Sequence, residues 1–186
     1  MGFLINHSAS IATDDRRNVC CQTQRSMNRI TFDLRLVKAS PDELDARDYF
    51  ALDIRVDDRD LLEYVRETEK PFAAAEGHPD LAGKYEALPA FTALKDFAAK
   101  RAEKVSLYDC ECGCFGCWPL RVRISVSERI VTWSEFEQPH RGPKSRASWW
   151  RYDNLGPFEF ERGEYEAALT KAESELRERQ RTRRCT

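Results

Sequence analysis

The sequence contains no apolar run near the roughly 20 residues that a membrane-spanning helix needs. It also has little net charge, because 30 basic and 32 acidic residues balance to −2, so charge repulsion does not favour an unfolded chain. Hydrophobic residues make up 41% of the 186, which is enough to form a core. These features exclude a membrane span, disfavour disorder and predict a soluble globular protein.

The beginning of the chain lacks the features of a secretory signal. Its short apolar stretch, residues 1–5, has no basic residues before it and ends at polar residues. A strand pattern starts directly after Met27, which is the only methionine besides Met1. We therefore expect Met27 to be the true start and residues 1–26 to be a disordered leader or a mispredicted extension. Without a secretory signal, we expect a cytoplasmic protein whose cysteines are kept reduced.

Patterns of apolar residues predict the secondary structure of the remaining chain. Helical spacing predicts a helix that is capped by Asp57 or Asp58 and ends before Pro71, a second helix near Pro89 and a third over residues 165–176. Alternation of apolar and polar residues predicts strands over residues 30–37, 50–56, 105–108, 120–126, 130–136 and 158–160.

The order of these elements predicts the fold class. Two strands, two helices, a further group of strands and a final helix are typical of an α+β protein. We predict a single α+β domain over residues 27–176, with a largely antiparallel sheet of about five strands and two to three helices packed on it. Residues 177–186 are rich in arginine and are expected to form a basic C-terminal tail.

The common catalytic motifs are missing. The chain has no P-loop, no G-x-G-x-x-G and no G-x-S-x-G. His78 and His140 are the only histidines in the predicted domain, which excludes a mechanism that needs three. A zinc deaminase would need H-x-E followed by P-C-x-x-C, but here Asp80 replaces the glutamate and Gly113 replaces the proline. The sequence therefore identifies no catalytic motif.

The most informative stretch is a run of closely spaced cysteines. Cys110 and Cys112 point to the same face if their segment is extended. Cys114 and Cys117 form a C-x-x-C, and the glycines beside them permit a tight turn that aims both sulfurs at one ion. We predict a metal site of Cys110, Cys112 and Cys117, with Cys114 or His140 as the fourth ligand and zinc as the ion.

Two other interpretations of the cysteines stay open. They could be inert small hydrophobes crowded at a sheet edge, or they could be reactive thiols. A thioredoxin-like motif fits poorly, because such a C-x-x-C opens a helix, whereas Cys117 is followed by Trp118, Pro119 and a predicted strand. In an enzyme the same cluster would be a catalytic metal or thiol centre, and a dyad of Cys117 and His140 is one form of it.

A basic aromatic loop, residues 141–152, and the basic tail together suggest a third candidate function, which is nucleic-acid binding. Cations and aromatic rings can bind nucleic acid through phosphate contacts and base stacking. We favour instead that Trp149 and Tyr152 pack the loop onto the core while its cations stay solvated. The tail has no aromatic residue and is typical of a helix end. We therefore expect no nucleic acid and no membrane, and an unidentified protein partner stays open.

The motifs around the cysteines resemble those of a known family. They are C-x-C-G and G-C-W-P-L at residues 110–120, V-x-W-x-x-F and Q-P-H-R at 131–141, and G-P-F-x-F at 156–160. In this order and spacing, over residues 105–169, they resemble a family of small uncharacterised bacterial proteins. The resemblance implies a bacterial protein but no activity, and Cys114 lies outside its pattern. The sequence thus predicts a small intracellular binding or interaction protein whose cysteine-rich loop holds a structural zinc.

Overall fold

The first three strands form a sheet of their own. The structure is a computed structural model and describes residues 27–38, 47–99, 103–112 and 116–184. β1 (Ile30–Val37) pairs antiparallel with β2 (Tyr49–Val56), and the short β3 (Arg59–Asp60) pairs with the end of β2. Most apolar members of the alternating pattern, among them Phe32 and Ile54, are buried, as that pattern predicts, while Leu36 near the end of β1 is exposed.

A second sheet of five antiparallel strands curls into a half-barrel and carries the cysteines. Its strands lie in chain order, so each pairs with the next. They are β4 (Tyr85–Ala87), β5 (Val105–Cys110), β6 (Leu120–Val126), β7 (Ile130–Glu137) and β8 (Phe158–Glu161). The prediction of a single α+β domain with a largely antiparallel sheet of about five strands is therefore confirmed, and β1, β2 and β3 form a separate, smaller sheet.

Within the described residues, three α-helices pack on these sheets. They are α1 (Leu61–Ala75), α2 (Ala90–Ala98) and α3 (Arg162–Arg184). The prediction for α1 was wrong at both ends. Asp60 caps it by accepting a hydrogen bond from the Leu62 amide at 2.9 Å, while Asp57 and Asp58 form the turn before it. The helix also continues past Pro71 to Ala75. Pro71 is exposed to water, and the burial of Ala73 beyond it in the core outweighs the local preference of proline against a helix interior.

α3 continues through the basic segment after residue 176, in agreement with its interpretation as a helix end. Arg179 pairs with Glu175 of the same helix, and Arg183 pairs with Asp48 beside β2. Both guanidinium groups also lie 5.8 Å from the ring centre of Phe50. These arginines are therefore engaged with the protein itself, in a helix that reaches Arg184.

The ends of the chain extend beyond the described part. The expected leader, residues 1–26, and the last two residues, 185–186, lie outside the described residues. Within the described part, none of the helices combines the length and the apolar character that crossing a membrane requires.

Candidate metal centre

The cysteines lie where β5 ends and the chain turns back into β6. We call this connection, residues 110–118, the cysteine loop. Its two sides are tied together by the buried carboxylate of Asp109, which accepts hydrogen bonds from the Cys110 amide at 2.9 Å and from the Gly116 amide at 2.9 and 3.0 Å. Gly116 has a φ of +77°, which glycine adopts without a steric penalty. The loop is thus held closed by hydrogen bonds from its own backbone amides to the Asp109 side chain.

Three sulfur atoms converge in this loop. The Sγ atoms of Cys110, Cys112 and Cys117 all lie within 4.8 Å of one another, and those of Cys112 and Cys117 are 3.2 Å apart. The Cys112 amide also donates a hydrogen bond to the Cys110 sulfur at 3.4 Å. Thiolates around one zinc ion, each at about 2.3 Å, are separated by roughly 3.8 Å. The thiol cluster, meaning these three cysteines, is therefore positioned to bind a metal ion.

The thiol cluster opens onto a cleft of about 550 Å³. Leu81 and Trp118 form its apolar wall, and Lys84 and Glu111 form its charged rim, with Nζ and a carboxylate oxygen 3.8 Å apart. Cys112 and Cys117 are exposed and Cys110 is half-buried. A metal ion bound here would be reachable from solvent.

The thiols strongly affect each other's protonation. Hydrogen bonding with Cys110, and then with Cys112, raises the pKa of the Cys117 thiol to about 12, and lost hydration and charge repulsion act in the same direction. Cys117 is therefore protonated at neutral pH when no cation is present. A metal ion bound by all three sulfurs has to displace that proton.

Zinc affinity is expected to rise with pH for this reason. Because Cys117 stays protonated in the metal-free protein between pH 6 and 8, each unit of pH should strengthen binding at least about tenfold. Competition with a chromophoric chelator at pH 6, 7 and 8, corrected for the chelator's own protonation in titrations without protein, measures this dependence. An affinity that does not change over this range would exclude Cys117 as a ligand.

His140 lies beside the cluster but its ring nitrogens do not join the sulfurs within 4.8 Å. It belongs to a short 3-10 turn, Pro139–Arg141, that follows β7. Its Nε2 is 3.4 Å from the Gly116 carbonyl oxygen, and its ring is nearly parallel to that of Trp118, with centres 6.2 Å apart. Its role as the fourth ligand stays a prediction. So does that of Cys114, which lies outside the described residues.

A network that sequence reasoning missed anchors the cysteine loop to α1. The Arg141 guanidinium lies 4.8 Å from the ring centre of Trp118 and makes a 3.1 Å ion pair with Glu76, at the end of α1. The indole N–H of Trp150 donates to the same carboxylate at 2.7 Å. Glu76 is 65 residues from Arg141 and 74 from Trp150, so no local spacing predicts these contacts.

A buried carboxyl group lies next to this network. Glu69 is fully buried in α1 and accepts 2.6 Å hydrogen bonds from the hydroxyls of Tyr85 and Tyr152 and a 2.7 Å bond from the Gly83 amide. Burial raises the pKa of Glu69. Tyr85 is the register partner of Cys110 in the pairing of β4 with β5. The buried carboxyl thus supports the strand pair that positions the first cysteine.

The sequence around Glu69 carries a signal for a buried polar residue. Leu61, Val65 and Ala73 are buried at intervals of four, and Glu69 occupies the remaining place in that series. A charged residue in the middle of an apolar helix face requires buried hydrogen-bond partners. The spacing could therefore have identified Glu69 as a buried polar residue, although not its partners.

The basic aromatic loop differs from expectation in one residue. Tyr152 packs onto the core as predicted, but Trp149 is 53% exposed and its neighbour Trp150 is buried instead. The reason is the bond between the Trp150 indole and Glu76, which fixes that side chain inward. The prediction that Trp149 packs the loop onto the core was therefore wrong.

No family model matches this chain, and neither the curated proteins nor the solved structures contain a significant match to it. The motif resemblance to a bacterial family accordingly stays a prediction. The fold and the site together define an α+β protein with a three-cysteine cluster that could hold a metal ion. The identity of the ion is a question of ligand chemistry.

Proposed function

We propose that the protein is a small binding or interaction protein in which the cysteine loop holds a structural zinc ion. The observation that carries the proposal is the convergence of three Sγ atoms within 4.8 Å. Exposed thiols of this kind persist in a reducing compartment, which agrees with a cytoplasmic location.

Zinc is the ion that this donor set favours. Thiolates are soft ligands, and structural zinc sites use four ligands drawn from cysteine and histidine in a tetrahedral arrangement. Cys110, Cys112 and Cys117 supply three. Cys114, between two of them in the sequence, or His140, whose Nε2 lies 3.4 Å from the Gly116 carbonyl, would supply the fourth.

A structural role agrees with how the loop is built. Asp109 ties the loop's two sides, and Trp118 is covered by His140 and Arg141. An ion placed between Cys110 and Cys117 would add a further tie between the end of β5 and the approach to β6, beside the one that Asp109 makes. It would hold rigid the surface that surrounds the cleft, and this surface is where we place the binding function.

Metal content is the direct test of this proposal. Protein purified without added metal is expected to contain one zinc per chain by elemental analysis. The variants Cys114→Ser and His140→Ala form a matched pair, because the one that removes the fourth ligand should lose zinc while the other keeps it. A wild-type protein that contains no metal and takes up none on titration with zinc contradicts the proposal.

A catalytic metal centre is the second candidate, and the open cleft is the observation that favours it. Two of the three cysteines are exposed beside about 550 Å³ of space, whereas structural sites are closed to solvent ligands. If the double variant Cys114→Ser/His140→Ala keeps one zinc per chain, neither residue is needed as a ligand and water is expected to occupy the fourth position. That result would overturn the structural role in favour of the catalytic one.

A further inference from the structure

Two members of the thiol cluster form a closer pair than a shared metal requires. The Sγ atoms of Cys112 and Cys117 are 3.2 Å apart, and both side chains are exposed at the cleft. We propose that Cys112 and Cys117 are a redox pair that a hydroperoxide oxidises to a disulfide, and that this oxidation releases the metal. The release of metal rests on the proposed zinc site, whereas the formation of the disulfide does not.

The geometry of the loop suits this bond. The two sulfurs need to approach by about 1.2 Å to reach the disulfide length of about 2.05 Å. The space beside Gly116, directly before Cys117, is open, since a Cβ placed there would meet nothing within 4 Å, so a small movement of Cys117 towards Cys112 meets no steric barrier on that side. Cys110 is less suited, because it is half-buried and its backbone is paired with Tyr85 in the sheet.

The oxidation proceeds in two balanced steps. A thiolate of the pair attacks one peroxide oxygen, the O–O bond breaks, hydroxide (or alkoxide) leaves and the sulfur becomes a sulfenic acid. The second thiol then attacks that sulfur, the S–S bond forms, the S–O bond breaks and water leaves. The two sulfurs give up two electrons to one peroxide, and the charge of the metal ion does not change.

The disulfide removes two ligands from the metal at once. Its sulfurs carry no negative charge and cannot bind zinc as thiolates do. Cys110 and a single further ligand would remain, which is too few for a stable site. The bonds from Asp109 to Cys110 and Gly116 involve only backbone amides, so they survive the oxidation. Reduction by a small thiol is therefore expected to restore the site.

The test uses the full chain loaded with zinc and treated with one equivalent of hydrogen peroxide. Remaining thiols are blocked with a first alkylating reagent, and the disulfide is then reduced and labelled with a second. The tryptic peptide of residues 105–121 contains all four clustered cysteines and no others, so fragmentation in the mass spectrometer locates the second label. A colorimetric chelator measures the zinc that is released.

The second label is expected on Cys112 and Cys117, with one zinc released per disulfide. Cys110→Ser should keep this disulfide, and Cys117→Ser should reduce its yield to background. A second label on Cys110 or Cys114, or none at all, overturns the pair. The same labelling in metal-free protein separates the two proposals: a disulfide without any zinc binding defeats the metal site alone, and zinc binding without a disulfide defeats the pair alone.

Discussion

Cys112→Ser is expected to abolish tight zinc binding and the stability that bound zinc confers. Cys112 is central to the thiol cluster, since its sulfur lies 3.2 Å from that of Cys117 and its amide contacts the Cys110 sulfur. Losing a direct ligand should cost more than the roughly 100-fold that loss of an outer partner can cost. At zinc concentrations of about 100 times Kd, the wild type gains about 2.7 kcal/mol, or roughly 5–10 °C in Tm.

Calorimetry with and without zinc, together with chelator competition, measures both effects. The Tm of the wild type should rise with zinc, while that of Cys112→Ser should not change. Cys185→Ser is the matched control, because it makes the same chemical change outside the clustered cysteines. If Cys112→Ser binds zinc as tightly as the control does, the cluster is not the metal site.

Glu69→Ala is expected to destabilise the fold by about 3 kcal/mol or more. The substitution leaves three buried donors, the hydroxyls of Tyr85 and Tyr152 and the Gly83 amide, without their acceptor. Each buried polar group left without a partner costs about 1–3 kcal/mol. Urea denaturation gives the change in the free energy of unfolding. A loss below about 1 kcal/mol would mean that water enters the site and replaces the carboxylate.

Glu69→Gln is the matched control, and it also tests how the stability depends on pH. It keeps the size and an acceptor oxygen, so its loss of stability should be smaller than that of Glu69→Ala. Because burial raises the pKa of Glu69 above its ordinary value of 4.5, the folded wild type holds this proton more tightly than the unfolded chain does. The wild type should therefore lose stability as pH rises from 4.5 through the raised pKa, and Glu69→Gln should lack this component.

The parts of the molecule that the sequence predicted are those determined by neighbours along the chain. The alternation at residues 120–126 and 130–136 marks β6 and β7, since each residue's face follows from the period of a strand. The convergence of Cys110, Cys112 and Cys117 is also determined by neighbours along the chain, because eight consecutive residues contain all three.

The parts that the sequence did not predict depend on residues far apart in the chain. The Glu76 carboxylate binds Arg141 and Trp150, and Glu69 binds Tyr152 across 83 residues. The burial of Trp150 instead of Trp149 has the same origin. Nothing in the local sequence distinguishes these adjacent tryptophans, and the hydrogen bond to the distant Glu76 carboxylate determines which one is buried. The end of α1 was missed because packing beyond Pro71 outweighs the local preference of proline.

The bonds made by Asp109 have a consequence for how the protein would acquire its ion. Classical zinc fingers remain unfolded until metal arrives, so for them binding and folding are one event. Here the Asp109 carboxylate already joins Cys110 and Gly116 within a folded half-barrel. The metal-free protein would therefore contain a preformed metal site. This site could bind and release zinc as the zinc concentration changes, while the rest of the fold stays intact.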